Sequence, residues 1–280
     1  MSNEGEGPVE LNRGGYRAAR PGRLPPDGVT DVGGVVLPAG RQARASGAQV
    51  TEPVLWISDE IVDAGDRWTQ LRRVFPRTGL WPLVLDTLDF YPERPWDDGE
   101  FDPGSSSSPE GIDVESTVER WWHDMVHPDA EEPESLEELD PFGQAFPGLA
   151  PAPAAEIDED APDRVAAGLR ARLGLVPVTR PADVLAVLGW QGPANYYTDV
   201  GPLSAVLRSW EDRFGAEPVA VGFDTLVLGV RRAPVSATDS LRIAAEHFAV
   251  CPDNVFQGAG SIAAYADEIR GERAWAFWWD

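Results

Sequence analysis

The sequence predicts an α+β fold: an antiparallel or mixed sheet with helices packed on one face, compatible with a ferredoxin-like arrangement and preceded by a small α/β unit. Two patterns in the last hundred residues indicate this class. One helical stripe is formed by Leu203, Val206, Leu207, Trp210 and Phe214. Two apolar segments, 218–223 and 226–230, flank Asp224-Thr225, and this pattern is typical of a β-hairpin.

Further signals divide the C-terminal region into elements. Helices are predicted over 162–172 and 182–188, with a strand at 175–178 between them. Ser236 begins a helix that Pro252 ends, and Ser261 caps a short helix that Gly271 closes. The final run, 274–280, is apolar on both strand faces. We therefore expect this strand to lie inside the sheet.

In the region before the C-terminal domain, the sequence predicts a strand at 53–57, a helix at 66–75 and a second strand at 81–85. Ser116 and Glu119 resemble a capping box that begins a further helix. We expect four parts in order: a flexible N-terminal tail (1–49), a small α/β lead-in unit (50–127), an acidic, proline-rich linker (128–160) and an α+β domain (161–280).

The charge of the chain is strongly negative and unevenly placed. The formal net charge is −24, and between Asp86 and Asp160 there are 23 Asp or Glu against two Arg. Such a field repels nucleic acid and acidic membranes and attracts basic proteins. The alternative is that the acidic stretch only keeps a linker soluble and extended.

Three features of the sequence bear on the location of the protein: its apolar runs, its N-terminus and its cysteine content. It has no apolar run long enough to span a bilayer, and its first thirty residues do not resemble a signal peptide. Cys251 is the single cysteine, which fits a reducing compartment. The sequence therefore predicts a cytoplasmic protein, and it does not define the oligomeric state.

Three short motifs suggest chemistry, and each has a simpler structural interpretation. His123 and His127 lie four apart, as in a zinc-protease helix, but Pro128 follows at once, so a metal site is only a weak candidate. The segment 258–263 matches a dinucleotide fingerprint without the strand that should precede it. We therefore expect no cofactor.

Cys251 follows His247 by four residues, a spacing that allows a thiol and a base to meet on one helix face. A reactive thiolate also needs an electropositive, partly exposed setting. Both residues close a helix whose stripe faces the core. A buried structural cysteine is the favoured interpretation.

Polar residues at loop and strand ends around the last strand are candidates for a binding site, because functional residues are often held on loops by a rigid frame. Tryptophan is enriched at interfaces, and one of the two final tryptophans should face a groove or partner. The alternative is that these polar residues only cap and turn the chain. The candidate binding residues are Asn195, Tyr196, Asp224, Asp253, Gln257, Trp279 and Asp280.

Several segments in fixed order resemble the uncharacterised bacterial family DUF4253. They are Gly192–Tyr196, Trp210–Gly215, Val221–Leu226, Cys251–Asp253 and Trp278–Asp280. Val54–Ser58 and Gly79–Leu83 look like the lead-in segment of longer family members. The resemblance implies no activity and supplies no catalytic residues.

Two hypotheses for function follow. The first is a non-enzymatic, acidic protein-interaction module, similar to immunity or inhibitor proteins, that binds a basic protein. The charge, the eleven tryptophans and the lack of a coherent catalytic set favour it. The second is an enzyme of unknown class with a polar site around Asn195, Tyr196, Asp224 and Asp253.

Overall fold

A computed structural model describes residues 16–46, 52–88, 90–126 and 136–280. It is a mixed α/β structure, so the predicted α+β class with a mixed sheet is confirmed. The strands are β1 Thr30–Val32, β2 Val35–Leu37, β3 Gly40–Ala43, β4 Leu55–Ser58, β5 Val62–Asp63, β6 Leu80–Leu85, β7 Arg170–Pro177, β8 Ala216–Val221, β9 Thr225–Val230 and β10 Ala274–Trp278. The α-helices are α1 Ala64–Thr78, α2 Val114–Val126, α3 Ala161–Ala166, α4 Val184–Leu188, α5 Gly201–Phe214, α6 Ala237–Val250 and α7 Ile262–Glu268.

The main sheet has the strand order β10-β9-β8-β6-β7-β4-β3, and β5 adds to β7. The β6–β8 pair is parallel, and the other pairs in this sheet are antiparallel. Strands β1 and β2 form a separate two-stranded sheet. The predicted hairpin is present as β8 and β9, with a register shift between Pro218 and Ala220.

Helices cover both faces of the main sheet, whereas we expected one face. Glu217 of β8 pairs in register with Gly229 of β9, so both lie on one face of the sheet. On this face Glu217 binds Arg72 of α1, and Gly229 lies against Pro162 of α3. The opposite face carries Trp275 of β10, which packs against aromatic side chains of α5 and α6. Both faces are therefore buried near the centre of the sheet, and strand β6 is buried along its whole length.

The face covered by α1 also contains buried charge. Arg72 donates to Glu217 over 2.7 Å, and Arg231 approaches the same carboxylate at 3.3 Å. All three side chains are almost completely excluded from solvent. Tyr16 completes the arrangement, because its ring lies 4.4 Å from the Arg72 guanidinium carbon. Paired arginines offset the cost of burying a carboxylate.

Within the predicted flexible tail, residues 16–46 have defined structure and contribute β1, β2 and β3. The backbone of Ala18 bonds to Thr179 and that of Gly22 to Gly79, so this segment follows the core. Glycine is needed at Gly79, whose φ is 63° and whose added Cβ would lie 2.3 Å from the Arg20 carbonyl. The predicted lead-in unit and C-terminal domain share one sheet, and their boundaries remain a prediction.

Three predicted elements differ in detail. Strand β10 is an edge strand, so its expected place inside the sheet is wrong. Its burial alternates, with Trp275 and Phe277 buried and Ala274, Ala276 and Trp278 exposed. Helix α2 begins at Val114, where Asp113 accepts from the Ser116 backbone, and the Ser116 capping box does not form its start.

The helix expected over 162–172 ends at Ala166, and β7 begins at Arg170. Of the predicted linker, residues 128–135 lie outside the described residues, and its later part contacts the folded core. The Trp122 indole donates to the Gln144 carbonyl, and the Ala150 N–H donates to Glu246. Within the described ranges, no helix combines the length and apolarity that crossing a bilayer requires.

Candidate functional site

A groove of about 470 Å³ runs along the free edge of β10. On its other side stand the turn after α6 and helix α7. We call it the β10 groove; it is lined by Asp253, Asn254, Gly258, Ala259, Tyr265, Glu268, Ile269, Glu272, Ala274, Trp275, Ala276 and Trp278. Three of these residues are carboxylates and none is basic. The groove is therefore an acidic, partly aromatic surface.

The alternation of β10 shapes one wall of this groove. Successive strand side chains point to opposite faces, so Ala274, Ala276 and Trp278 lie on the same exposed face. The two alanines are small and leave open space beside Trp278, which is 38% exposed. The result is a shallow trough with an indole at one end.

The edge of β10 is held by side chains of the neighbouring turn. Asn254 donates from Nδ2 to the Ala276 carbonyl at 2.8 Å, and Cys251 donates from Sγ to the Trp278 carbonyl at 2.9 Å. Residues Asn254–Ala259 form a π-helical turn, a rare conformation that often occurs at functional sites. These contacts protect an otherwise open strand edge and fix the groove floor.

Asp253 is buried and forms the centre of a polar cluster at one end of the groove. Its Oδ1 accepts from the Tyr196 hydroxyl at 2.7 Å and from Gln257 Nε2 at 2.9 Å. Its Oδ2 accepts from the backbone N–H of Asp280 at 3.0 Å. Burial and the nearby carboxylate raise the pKa of the Tyr196 hydroxyl, so it stays protonated as a donor. The cluster joins a loop, the π-helical turn and the end of the chain.

Asp224 lies beside the Trp278 end of the groove. Burial raises the pKa of this carboxyl, and Asp280 and Asp86 add to the rise. Hydrogen bonds from its own backbone and from the Trp278 side chain oppose it. The Asp224 carboxylate thus lies against the exposed indole, and the Asp224 carbonyl accepts from the Trp279 backbone N–H at 3.1 Å.

A chain of hydrogen bonds leads from the groove into the core. Asn254 donates to the Tyr265 hydroxyl at 2.9 Å, and this hydroxyl lies 3.1 Å from His247 Nδ1. Because Tyr265 accepts from Asn254, its own proton can be donated to Nδ1 of the neutral His247 ring. The His247 Nε2 has no hydrogen-bond partner among the described residues, and the ring packs against those of Trp275 and Phe277.

The buried groups beside the groove are held in their neutral forms. Burial lowers the pKa of His247 to about 3, and the positive charge of Arg213 acts in the same direction. Burial likewise raises the pKa of the Cys251 thiol to about 12. Neither group can ionise readily near neutral pH, so the pair provides no thiolate nucleophile and no general base.

The structure brings some predicted site residues together and separates others. Tyr196, Asp253, Gln257 and Asp280 are joined by hydrogen bonds, and Asp224 contacts the Trp278 side chain. Asn195 is exposed, next to Tyr196. Trp279 is buried against Trp190, with ring centroids 5.4 Å apart, and donates to the Val250 carbonyl.

Sequence reasoning did not select Glu268, Glu272 or Trp278 for this site. In the sequence, the two glutamates look like ordinary exposed residues, one at the end of α7 and one in the following turn. The signal for Trp278 was the alternation of small and large side chains in 274–278, which identifies the outward position once the buried face is known.

The two motifs that suggested a metal or a nucleotide differ in how much of each the structure describes. His123 is exposed on α2, and His127 lies outside the described residues. No group of three His, Cys, Asp or Glu side chains in the described ranges is arranged to hold a metal ion. The glycine-rich segment 258–263 begins within the π-helical turn Asn254–Ala259, whereas a dinucleotide site needs a strand before it.

A second cavity of about 400 Å³ lies among the β4–β5 connection, the end of β6 and the start of β7. It also carries carboxylates, but here they lie with arginines. Arg172 donates to both oxygens of Asp97 at 2.7 Å. Acidic residues of this cavity are thus already partly neutralised, which distinguishes it from the β10 groove.

Residues 172–280 match the family model DUF4253, described as a domain of unknown function. The C-terminal part of the chain, which contains the β10 groove, therefore carries a DUF4253 domain. No curated protein and no solved structure matches the chain.

Proposed function

We propose that this DUF4253 domain is a non-enzymatic recognition module that binds a basic protein at the β10 groove, in the manner of an acidic immunity or inhibitor protein. One observation carries the proposal. The groove has three carboxylate residues and no basic residue in its lining, and an exposed tryptophan stands at its end. Interface anchors are commonly aromatic, and opposite charge speeds and orients association.

The state of the neighbouring side chains supports binding over catalysis. Each oxygen of Asp253 accepts at least one hydrogen bond, so the carboxylate has a structural task. His247 and Cys251 have pKa values far from neutrality. A general base or nucleophile that works near pH 7 needs a pKa closer to that range.

The net charge of −24 supports the same partner class. A strongly acidic protein attracts basic partners over distances set by the ionic strength. Such a field repels nucleic acid and anionic lipid, so the proposal excludes both as partners. A cytoplasmic location belongs to the proposal and rests on the single cysteine, Cys251.

The test is a comparison of two charge-reversal variants in affinity capture from the native host at low salt. The first variant, Glu268→Arg with Glu272→Arg, reverses the groove. The control, Glu60→Arg with Glu93→Arg, makes the same charge change at exposed residues of the second cavity. We expect a basic protein that wild type and control retain, that added salt releases, and that the groove variant loses.

Two results would contradict the proposal. One is that wild type retains no basic protein at low salt. The other is that the groove variant and the control lose the partner equally, since binding would then follow net charge and not the groove. Direct titration of the purified partner against the three proteins gives the affinities.

The alternative is an enzyme of unknown class with a polar site around Asn195, Tyr196, Asp224 and Asp253. One observation favours it: the pKa of the partly buried Asp224 carboxyl is raised, as in many acid catalysts. It would replace the binding proposal if wild type turned over a substrate in a broad hydrolase screen and Asp224→Asn abolished that turnover.

A further inference from the structure

We infer that the β10 groove selects arginine over lysine in its basic partner, with one guanidinium stacked on Trp278 and another basic side chain of the same segment near Glu268 and Glu272. This inference rests on the proposed function and names the side chain that the groove recognises. It concerns an extended, arginine-bearing segment of a protein.

The first support comes from two arginines inside this molecule. Arg72 lies 4.4 Å from the Tyr16 ring centroid and donates to Glu217 at 2.7 Å. Arg94 lies 4.6 Å from the ring centroid of Phe223 and donates to Glu100 at 2.6 Å. In both places one guanidinium uses an aromatic face and a glutamate together.

The groove offers the same two partners without the arginine. Trp278, Glu268 and Glu272 line one space, and neither glutamate forms an ion pair within the described residues. The tryptophan is 38% exposed, so its ring can be reached from solvent. An arginine-bearing segment of another protein would supply the cations that this ring and these carboxylates lack.

The floor of the groove suits the rest of an arginine side chain. Ala274 and Ala276 share the exposed face of β10 with Trp278. Long basic side chains bury their methylene groups along such apolar surface while the charged end reaches a polar rim. Here the methylene groups of an arginine stacked on Trp278 would lie along the alanines.

The preference for arginine follows from guanidinium geometry. A guanidinium is planar, stacks on aromatic rings and donates two parallel hydrogen bonds to one carboxylate. A lysine ammonium is a compact, strongly hydrated charge that does neither as well. Asp224 contributes because its carboxylate lies against the Trp278 side chain, at the point where the guanidinium would stack.

The experiment titrates the full chain by calorimetry with three end-capped octapeptides of alternating glycine and a second residue. That residue is arginine, lysine or citrulline, the neutral analogue of arginine. The variants are Trp278→Leu, Trp278→Phe and Glu268→Gln with Glu272→Gln. The control is Glu60→Gln with Glu93→Gln, which removes the same charge from the second cavity.

We expect wild type and control to bind the arginine peptide about fivefold to tenfold more tightly than the lysine peptide, with citrulline weakest. Trp278→Leu should reduce the arginine preference to about twofold or less, and Trp278→Phe should keep most of it. The glutamine pair should weaken both basic peptides. Near-ultraviolet circular dichroism checks the fold of each variant.

Two outcomes separate this inference from the proposed function. If groove-dependent binding is present but arginine and lysine peptides bind equally, or if Trp278→Leu keeps the preference, arginine selection is wrong and the binding function stands. If neither basic peptide binds wild type and no basic protein is captured at low salt, the proposed function fails and the inference fails with it.

Discussion

The hydroxyl of Tyr196 donates a 2.7 Å hydrogen bond to the carboxylate of Asp253. The two residues are far apart in the chain, and the same carboxylate also accepts from Gln257 and from the backbone of Asp280. A buried carboxylate needs such donors, because burying an unpaired charge is costly. Through the hydrogen bond from Asp280, Asp253 fixes the end of the chain, and with it β10, against the turn after α6. The Tyr196 hydroxyl stabilises the same carboxylate.

Tyr196→Phe should lower the free energy of unfolding by about 1–3 kcal/mol, because a buried carboxylate loses a donor while the ring volume is kept. Denaturant unfolding measures the change. Tyr91→Phe is the matched control, since Tyr91 is exposed, and it should change the free energy by less than about 0.5 kcal/mol. Equal effects of the two substitutions would show that the Tyr196–Asp253 contact contributes nothing.

His247 predicts a specific acid sensitivity. Its pKa is about 3 in the folded protein, against about 6.5 when unfolded. Below pH 6.5 the unfolded chain therefore binds a proton that the folded protein does not, so stability falls as pH falls towards 3. The stability that depends on a neutral His247 is fully present above pH 6.5.

Removing the imidazole should weaken the fall in the free energy of unfolding as the pH decreases. Between pH 6 and pH 4, His247→Gln should reduce the slope of unfolding free energy against pH by about 1.4 kcal/mol per unit, the value for one proton. Urea unfolding at several pH values gives both slopes. Identical slopes for wild type and variant would mean that His247 titrates as an exposed histidine does.

Adjacent arginines on α1 should differ greatly in their effect on stability. Arg72 is 2% exposed and pairs with the fully buried Glu217, whereas Arg73 is 64% exposed and reaches only Asp163. Arg72→Met should cost about 3–5 kcal/mol, because it leaves a buried carboxylate short of a partner. Arg73→Met should cost at most about 1 kcal/mol. Comparable losses in thermal and denaturant unfolding would refute the distinction.

Cys251 should resist thiol reagents in the folded protein. Burial raises the pKa of its thiol to about 12, and the side chain is inaccessible. At pH 8 we expect reaction with a chromogenic disulfide to be limited by unfolding and to become fast in denaturant. Rapid labelling under native conditions would restore the nucleophile hypothesis for Cys251 and His247.

Local signals in the sequence predicted several elements correctly. The Leu203–Phe214 stripe matches α5, which ends at Gly215 in the left-handed conformation. Ser236 and Ser261 both cap helices through their side-chain oxygens, as expected. These features depend on neighbouring residues alone, so periodicity and capping chemistry suffice to find them.

Features that depend on distant partners could not be predicted in this way. Alanine is compatible with either face of a strand, so Ala274 and Ala276 made β10 look buried on both sides. Which final tryptophan faces outward follows from the pairing of Trp278 with Thr225 and the packing of Trp279 on Trp190. The groove itself needs α7 beside β10, and no local pattern specifies that approach.

The position of β6 has a consequence for any shortened version of this protein. Residues 80–85 run between β7 and β8, contacting Gly174 and Leu175 on one side and Ala220 on the other. A polypeptide that started at Arg172 would carry every residue of the recognised family segment, yet would have a slot through the middle of its sheet. Two long rows of unsatisfied amides and carbonyls would border that slot and invite self-association. A separate peptide of residues 80–85 should bind in the slot, because this segment is the strand that pairs with both β7 and β8.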